Sequence, residues 1–311
     1  MPDPESMVES VADEFGLGPV VEAAPIPGRP DVVKLTAERG VYLVKPAIRA
    51  PAVDLYERVA RTLRQAGIRQ AEAVRAPAGG LVSRSGHVVQ EFLPGQAVPR
   101  PTRRQTLAAM RHIARYHAAL GPIGFPAELR DTDTVWTRVV SPEYLCDALP
   151  RLIGRPAPFG AGVSSVPAAL GLLEDRLPSI RSLSPQLVHG DIGPDNVLMD
   201  GDDVVAIVDF TPFHEPVLFA VATAVYWYHV HGHGRLDPDA IAASIAAAGP
   251  WTDAEFEVWP AMLLREALRR LATPLALAVE TGAPVSASAG ARLAAVTTIT
   301  DAWPDLVSIA R

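Results

Sequence analysis

Apolar residues in the first third of the chain fall into short runs divided by turn formers. Runs at residues 20–26, 32–37 and 41–45 are separated by Pro27-Gly28-Arg29-Pro30-Asp31 and by Glu38-Arg39-Gly40. That pattern predicts an antiparallel meander of three strands. Beyond Pro46 and Pro51 the spacing changes: Leu55, Val59 and Leu63 recur at helical intervals over residues 53–65, and Gly67 ends the helix. Strand-like runs return at residues 80–83 and 87–92, and Leu93-Pro94-Gly95 breaks the pattern off. After Pro101 helices dominate. Residues 103–119 present Leu107, Met110, Ile113, Ala114 and His117 on one face before Gly121-Pro122, and residues 167–177 form a further helix. One compact β stretch interrupts this half, at residues 187–188, 196–199 and 204–210, with Asp200-Gly201-Asp202-Asp203 as its hairpin turn; helices resume from Val217. That acidic turn lacks the spaced oxygen ligands and closing Glu of a calcium loop.

These elements define an α+β chain with a small antiparallel-sheet part carrying one helix, residues 1–95, and a larger, mainly helical part, residues 96–311. The length of 311 residues is ample for two lobes. A net charge of −7, with the 28 basic residues scattered, argues against a nucleic-acid partner. The single cysteine, Cys146, cannot form an internal disulfide, and the acidic opening residues 1–14 do not read as a signal peptide, so a cytoplasmic location is expected. The uncharged run between Glu215 and Arg235 is too short in apolar residues to span a membrane, and no obligate protein partner is indicated.

The chemistry concentrates in Leu187-Val-His-Gly-Asp-Ile-Gly-Pro-Asp-Asn-Val-Leu-Met and in Val204-Val-Ala-Ile-Val-Asp-Phe. Asp191 ends one apolar strand, Asn196 follows five residues later, and Asp209 comes thirteen residues after that at the end of the returning strand. Strand ends can therefore aim two carboxylates and an amide at one cleft. Such hard oxygen ligands suit Mg²⁺, which shares its octahedron with waters and substrate phosphates.

In this order and spacing the segment resembles the catalytic and metal-binding loops of the aminoglycoside phosphotransferase family, small-molecule kinases with a protein-kinase-like bilobal fold. The Thr211-Pro212-Phe213 that follows Asp209-Phe210 is similar to actinobacterial antibiotic phosphotransferases. The resemblance implies Asp191 as catalytic base, Asn196 and Asp209 as Mg²⁺ ligands on ATP or GTP, and His189 as a structural support. It also implies an upstream strand lysine on the phosphates. Of the two lysines in the chain, Lys45 ends the apolar strand Val41-Tyr-Leu-Val-Lys, whereas Lys34 is expected in solvent. Glu57 on the following helix is the implied partner of Lys45, although Glu57 and Arg61 also form an i,i+4 pair. Gln90-Glu-Phe-Leu-Pro-Gly95 resembles the hinge, where the Glu91 carbonyl and the Leu93 amide would read the purine. The turn at residues 27–31 departs from the pattern, with one Gly where protein kinases have several.

Only the seven residues 211–217 separate Asp209-Phe210 from the next apolar helix, which leaves no room for a peptide-docking segment and favours a small-molecule hydroxyl as acceptor. An antibiotic acceptor, giving resistance or self-protection, is the first expectation; a metabolic kinase for a sugar, amino alcohol or amino acid is the alternative, and a nucleotide-binding pseudokinase the third. From Thr211 onward ten acidic residues face six arginines, a modest excess for binding a polycation. Tyr226, Trp227, Tyr228, Trp251, Phe256 and Trp259 could wall a ring-bearing ligand, though core packing accounts for most of them. His214 and Glu215 are placed at the acceptor site. The alternating His229, His231 and His233 read as a polar loop rather than a zinc site, lacking Cys or a nearby carboxylate.

Overall fold

A computed structural model describes residues 4–26, 29–47, 50–130, 134–153 and 161–310. It opens on a helix that the strand pattern did not foretell, α1 (Pro4–Glu14), which lays Val8, Val11 and Ala12 on the first sheet. Strands β1 (Val20–Ile26), β2 (Arg29–Ala37), β3 (Gly40–Pro46) and β4 (His87–Glu91) form an antiparallel sheet in sequence order. The meander follows from the turn residues, and its register sets Lys45 beside Val88. Of the turn at residues 27–31, positions 27 and 28 lie outside the described residues. Residues 80–83 form no strand. Pro77 and Gly79 turn the chain there, the Gly79 amide donating back to the Ala76 carbonyl, and Leu81 is buried singly against Val53 and Val88. The bridge to β4 comes instead from Ala73, opposite Gln90.

Helix α2 (Ala50–Gln65) begins earlier than the Leu55 spacing alone marks, and it buries Leu55, Val59 and Leu63 in the main core rather than under the small sheet. It thereby ties the two lobes. The short β5 (Gln96–Ala97) follows the Gly95 turn, whose φ of +121° brings the backbone against Val205 and Leu198. Helix α3 (Arg103–Leu120) is started by a capping box between Thr102 and Gln105. Two single turns, α4 (Ala127–Arg130) and α5 (Val135–Arg138), lead to α6 (Pro142–Ile153), α7 (Ser165–Glu174) and α8 (Leu177–Arg181).

The β stretch of this lobe makes two ladders. β7 (Val197–Asp200) pairs with β5 and with β8 (Asp203–Ile207) across a turn in which Gly201 takes φ +60°. β6 (Gln186–His189) pairs with β9 (Pro212–Glu215). Helix α9 (Val217–Val225) runs into a π-helical turn, Tyr226–Val230, followed by α10 (Pro238–Ala247), the long α11 (Asp253–Thr281), α12 (Ala289–Asp301) and α13 (Trp303–Ile309). Of the histidines expected in a polar loop, His229 instead lies in the π turn, hydrogen-bonded to the Ser244 hydroxyl, whereas His231, stacked on Tyr226, and His233 fall in the turn beyond it. Trp259 and Tyr226 are fully buried, as core packing requires. No described helix is long and apolar enough to cross a membrane.

Candidate active site

Between the lobes lies a cleft of about 620 Å³, a size suited to a small-molecule ligand. Lys45, Glu91 and Leu93 line it from the first lobe, and Asp191, Asn196 and Asp209 from the second.

One buried histidine organises the loops that carry the acids. The His189 ring is wholly enclosed; its Nδ1 accepts hydrogen bonds from the backbone amides of Asp191 (3.2 Å) and Thr211 (3.3 Å), while Nε2 lies 3.1 Å from the Val208 carbonyl. Two donors facing Nδ1 assign the proton to Nε2, and burial, the main influence, holds the pKa of the ring below its ordinary 6.5. His189 is thus a neutral strut joining the Asp191 loop to the Asp209 loop. Its own amide donates to Nε2 of His117, whose Nδ1 meets the Ile113 carbonyl at 2.9 Å. Burial lowers the His117 pKa to about 3.

Asp209 is held at φ +56°, a left-handed backbone rare for a residue with a side chain, of the kind that clusters at functional sites. Its carboxylate meets Lys45 Nζ at 3.5 Å and Arg29 at 3.2 Å. Burial would raise the pKa of this carboxylate, but Lys45 and Arg29 outweigh it and keep Asp209 ionised. Burial also lowers the Lys45 pKa, the Asp209 charge opposing the effect. Asn196 donates through its amide nitrogen to the Asp191 carbonyl at 2.7 Å, which leaves its oxygen as the ligand-capable atom.

The expected Lys45–Glu57 pair is not what the structure shows. Both Glu57 oxygens accept from Arg75 at 2.7 Å, Arg61 stands 3.8 Å away, and the helix turns the neighbouring Tyr56 to the cleft, where its ring meets Phe210 edge-on at 5.7 Å. One helical position separates a side chain facing the cleft from one facing Arg75. Lys45 therefore relies on Asp209. His214 and Glu215 are likewise turned from the cleft. The His214 ring rests against Phe125, and Glu215 is tied to buried Arg265 at 2.9 Å because β9 alternates its side chains against β6 and α11. Lys34 projects from β2 over the Phe92 ring at 4.6 Å.

What sequence reasoning did not single out is the charged face of α11. Glu266, fully buried, accepts from Arg269 Nε at 2.6 Å and from Arg270 Nε at 2.6 Å, and Arg270 reaches on to Asp191 at 2.6 Å. Burial would raise the Asp191 pKa, but Arg270, with help from Arg269 and His189, brings it below 3.8. The signal was available: Arg265, Glu266, Arg269 and Arg270 interrupt a stretch apolar on every side, and charges in such a helix must be paired. Gly190 lets the Asp191 loop pass Phe213, since a Cβ there would fall 1.8 Å from the ring. Gly190→Ala is expected to cost about 1–3 kcal/mol and to lower turnover, checked by thermal denaturation beside an activity assay.

A two-lobed chain with acids, an amide and a lysine at the interlobe cleft defines a small-molecule kinase fold. Residues 22–257 match the phosphotransferase enzyme family known as APH, and the chain belongs to that family. A homoserine kinase of Methylobacillus flagellatus is 37% identical over 93 residues, and one of Methylobacillus glycogenes 38% over 86. The match spans 29% of this chain and 29% of the M. flagellatus enzyme. Among solved structures, the chain is similar to an aminoglycoside phosphotransferase from Alicyclobacillus acidocaldarius (TM-score 0.66, 17% identity, covering 96% of this chain and 94% of that one). A choline/ethanolamine kinase family protein from Mesorhizobium loti gives TM-score 0.66 at 16% identity, with 99% and 98% covered. Amicoumacin kinase hAmiN, in complex with AMP-PNP, Ca²⁺ and Ami, gives 0.64 at 17% identity, with 96% and 93% covered.

Proposed function

We propose that the chain transfers the γ-phosphoryl group of ATP or GTP to a hydroxyl of a small molecule, with residues 1–95 as nucleotide-binding lobe and residues 96–311 as catalytic and acceptor lobe. The observation that carries this reading is that Lys45, Asp191, Asn196 and Asp209, from three separate segments, line one cleft. The acceptor oxygen bonds to the γ-phosphorus as the bond to the bridging oxygen breaks, the nucleoside diphosphate leaves, and the hydroxyl proton passes to the ionised Asp191 carboxylate. Lys45 neutralises phosphate charge from the strand end. The Glu91 carbonyl and the Leu93 amide would read the purine, the Glu91 side chain being engaged by Arg69 at 3.0 Å.

The donor set fits Mg²⁺, since the Asp209 carboxylate and the Asn196 amide oxygen are hard ligands open to the cleft, too few to complete an octahedron without phosphates and waters. When bound, the ion would neutralise charge on the transferring phosphoryl group. Asp209→Asn should raise the Mg²⁺ concentration needed for half-maximal turnover by at least about tenfold, measured by metal titration at saturating nucleotide; an unchanged requirement would remove Asp209 from the metal.

An antibiotic acceptor has the support of the amicoumacin kinase and aminoglycoside phosphotransferase likeness, and a metabolite acceptor that of the homoserine kinases. Incubation with Mg-ATP or Mg-GTP and a panel of aminoglycoside, peptide and nucleoside antibiotics, sugars, amino alcohols and amino acids, read by mass spectrometry for gain of a phosphoryl group, tests the reading. Nucleotide binding without any such gain would leave a pseudokinase.

A further inference from the structure

Behind Asp191, on the side away from the nucleotide cleft, four guanidiniums and three carboxylates, Asp191 included, gather around α11. Arg265 pairs with Glu215, and Arg269 and Arg270 share Glu266, with Arg270 also on Asp191. The fourth, Arg292 on α12, has no carboxylate within ion-pair distance among the described residues. It donates through Nη1 to the Arg270 carbonyl at 2.9 Å, and its Nε is buried without a hydrogen-bond partner. A part-buried cation in a cluster carrying one surplus positive charge is a cost unless an anion offsets it.

Partly exposed ring side chains border the cluster on its solvent side. Arg270 lies over the Trp227 ring at 4.8 Å, and Trp227 meets His231 edge-on at 4.7 Å. Trp227, His231 and Arg292 are all partly exposed, and the Asp191 side chain is 41% exposed. Gly193, two residues past Asp191, leaves room beside Trp227, where a Cβ would come within 3.0 Å of the indole. Arg270 connects the parts: its guanidinium grips Asp191 while its backbone carbonyl is held by Arg292.

Resting on the phosphotransferase reading above, we infer that the acceptor is a small hydroxy acid, its carboxylate taken by the Arg292 guanidinium beside Arg270 and Trp227 while its hydroxyl lies at Asp191. Balance is as for any such transfer: the acceptor O–P bond forms, the bond from γ-phosphorus to the bridging oxygen breaks, and the carboxylate takes no part in bond exchange. Within this cluster Glu215, Glu266 and Asp191 are each engaged by an arginine, so a polycationic aminoglycoside meets no free carboxylate there.

The test uses the full chain with Mg-ATP and Mg-GTP. L-Homoserine, L-serine and D-glycerate are compared with their carboxamides and with kanamycin, by phosphoryl transfer and by calorimetric titration in the presence of AMP-PNP. At least one acid should be bound and phosphorylated, its carboxamide at least about tenfold less efficiently. Arg292→Gln should raise the acceptor KM about tenfold or more with the nucleotide KM in place, and Arg292→Lys should recover part of the loss. Acid uptake that Arg292→Gln abolishes, with no transfer to any compound, would keep the carboxylate site and refute the kinase reading instead. No uptake of any acid, efficient transfer to the carboxamides or kanamycin, or an Arg292→Gln protein with unchanged acid KM would overturn the inference.

Discussion

Replacing Asp191 by asparagine should lower kcat by about 100- to 10,000-fold while Mg-nucleotide affinity holds. The carboxylate is the proton acceptor in the proposed transfer, and it is ready for that role at neutral pH because Arg270, at 2.6 Å, keeps it ionised against the effect of burial. Asparagine preserves the shape of the side chain and its contact with Arg270 but not the basicity. The loss should therefore fall on the chemical step, visible as slow single-turnover transfer with an unaltered AMP-PNP titration. Rates within a few-fold of the parent protein would take Asp191 out of the reaction.

The second large effect is on stability. Glu266→Gln should destabilise the fold by about 3–5 kcal/mol, because it leaves buried Arg269 facing no compensating charge and strips Arg270 of one of its two. Glu266 has no solvent exposure, and Arg269 and Arg270 are both buried; once its charge is gone, Arg270 retains Asp191 and Arg269 retains the Gly190 carbonyl at 3.5 Å. Urea denaturation followed by near-ultraviolet circular dichroism would measure the loss. A pH dependence accompanies it. Burial would raise the Glu266 pKa, and the two arginines more than reverse that, so it lies below 4.5 in the folded protein. The stabilisation is present above that value and fades as pH falls through the folded pKa, so the parent protein and the Gln variant should converge in strong acid.

Much of the architecture was readable from residue spacing. The β1–β3 meander is announced by its Pro, Gly and Asp turns, and the β7–β8 hairpin by Asp200-Gly201. Helix α1 could have been read as well: Val8, Val11, Ala12 and Phe15 repeat at helical intervals, but the acidic residues between them drew attention to charge. Strand β9 carries Pro212 and is short, so propensity gives it little signal; the ladder with β6 makes it. The cleft residues Lys45, Asp191, Asn196 and Asp209 were legible because strand ends deliver them in fixed order. Glu57 and Glu215 were not, because which arginine claims a carboxylate depends on helix register and on α11, a helix 50 residues from Glu215 in sequence at Arg265. Tertiary partners of charged side chains are the part of a site that spacing leaves open.

The pairing of β6 with β9 carries a consequence for control. In protein kinases the stretch after the metal-binding aspartate swings and is set by phosphorylation. Here the corresponding stretch is spent at once as a strand clamped against the one that bears His189, so residues 212–215 could swing only by giving up that ladder and the Thr211 bond to His189, which would unseat the Asp191 loop with them.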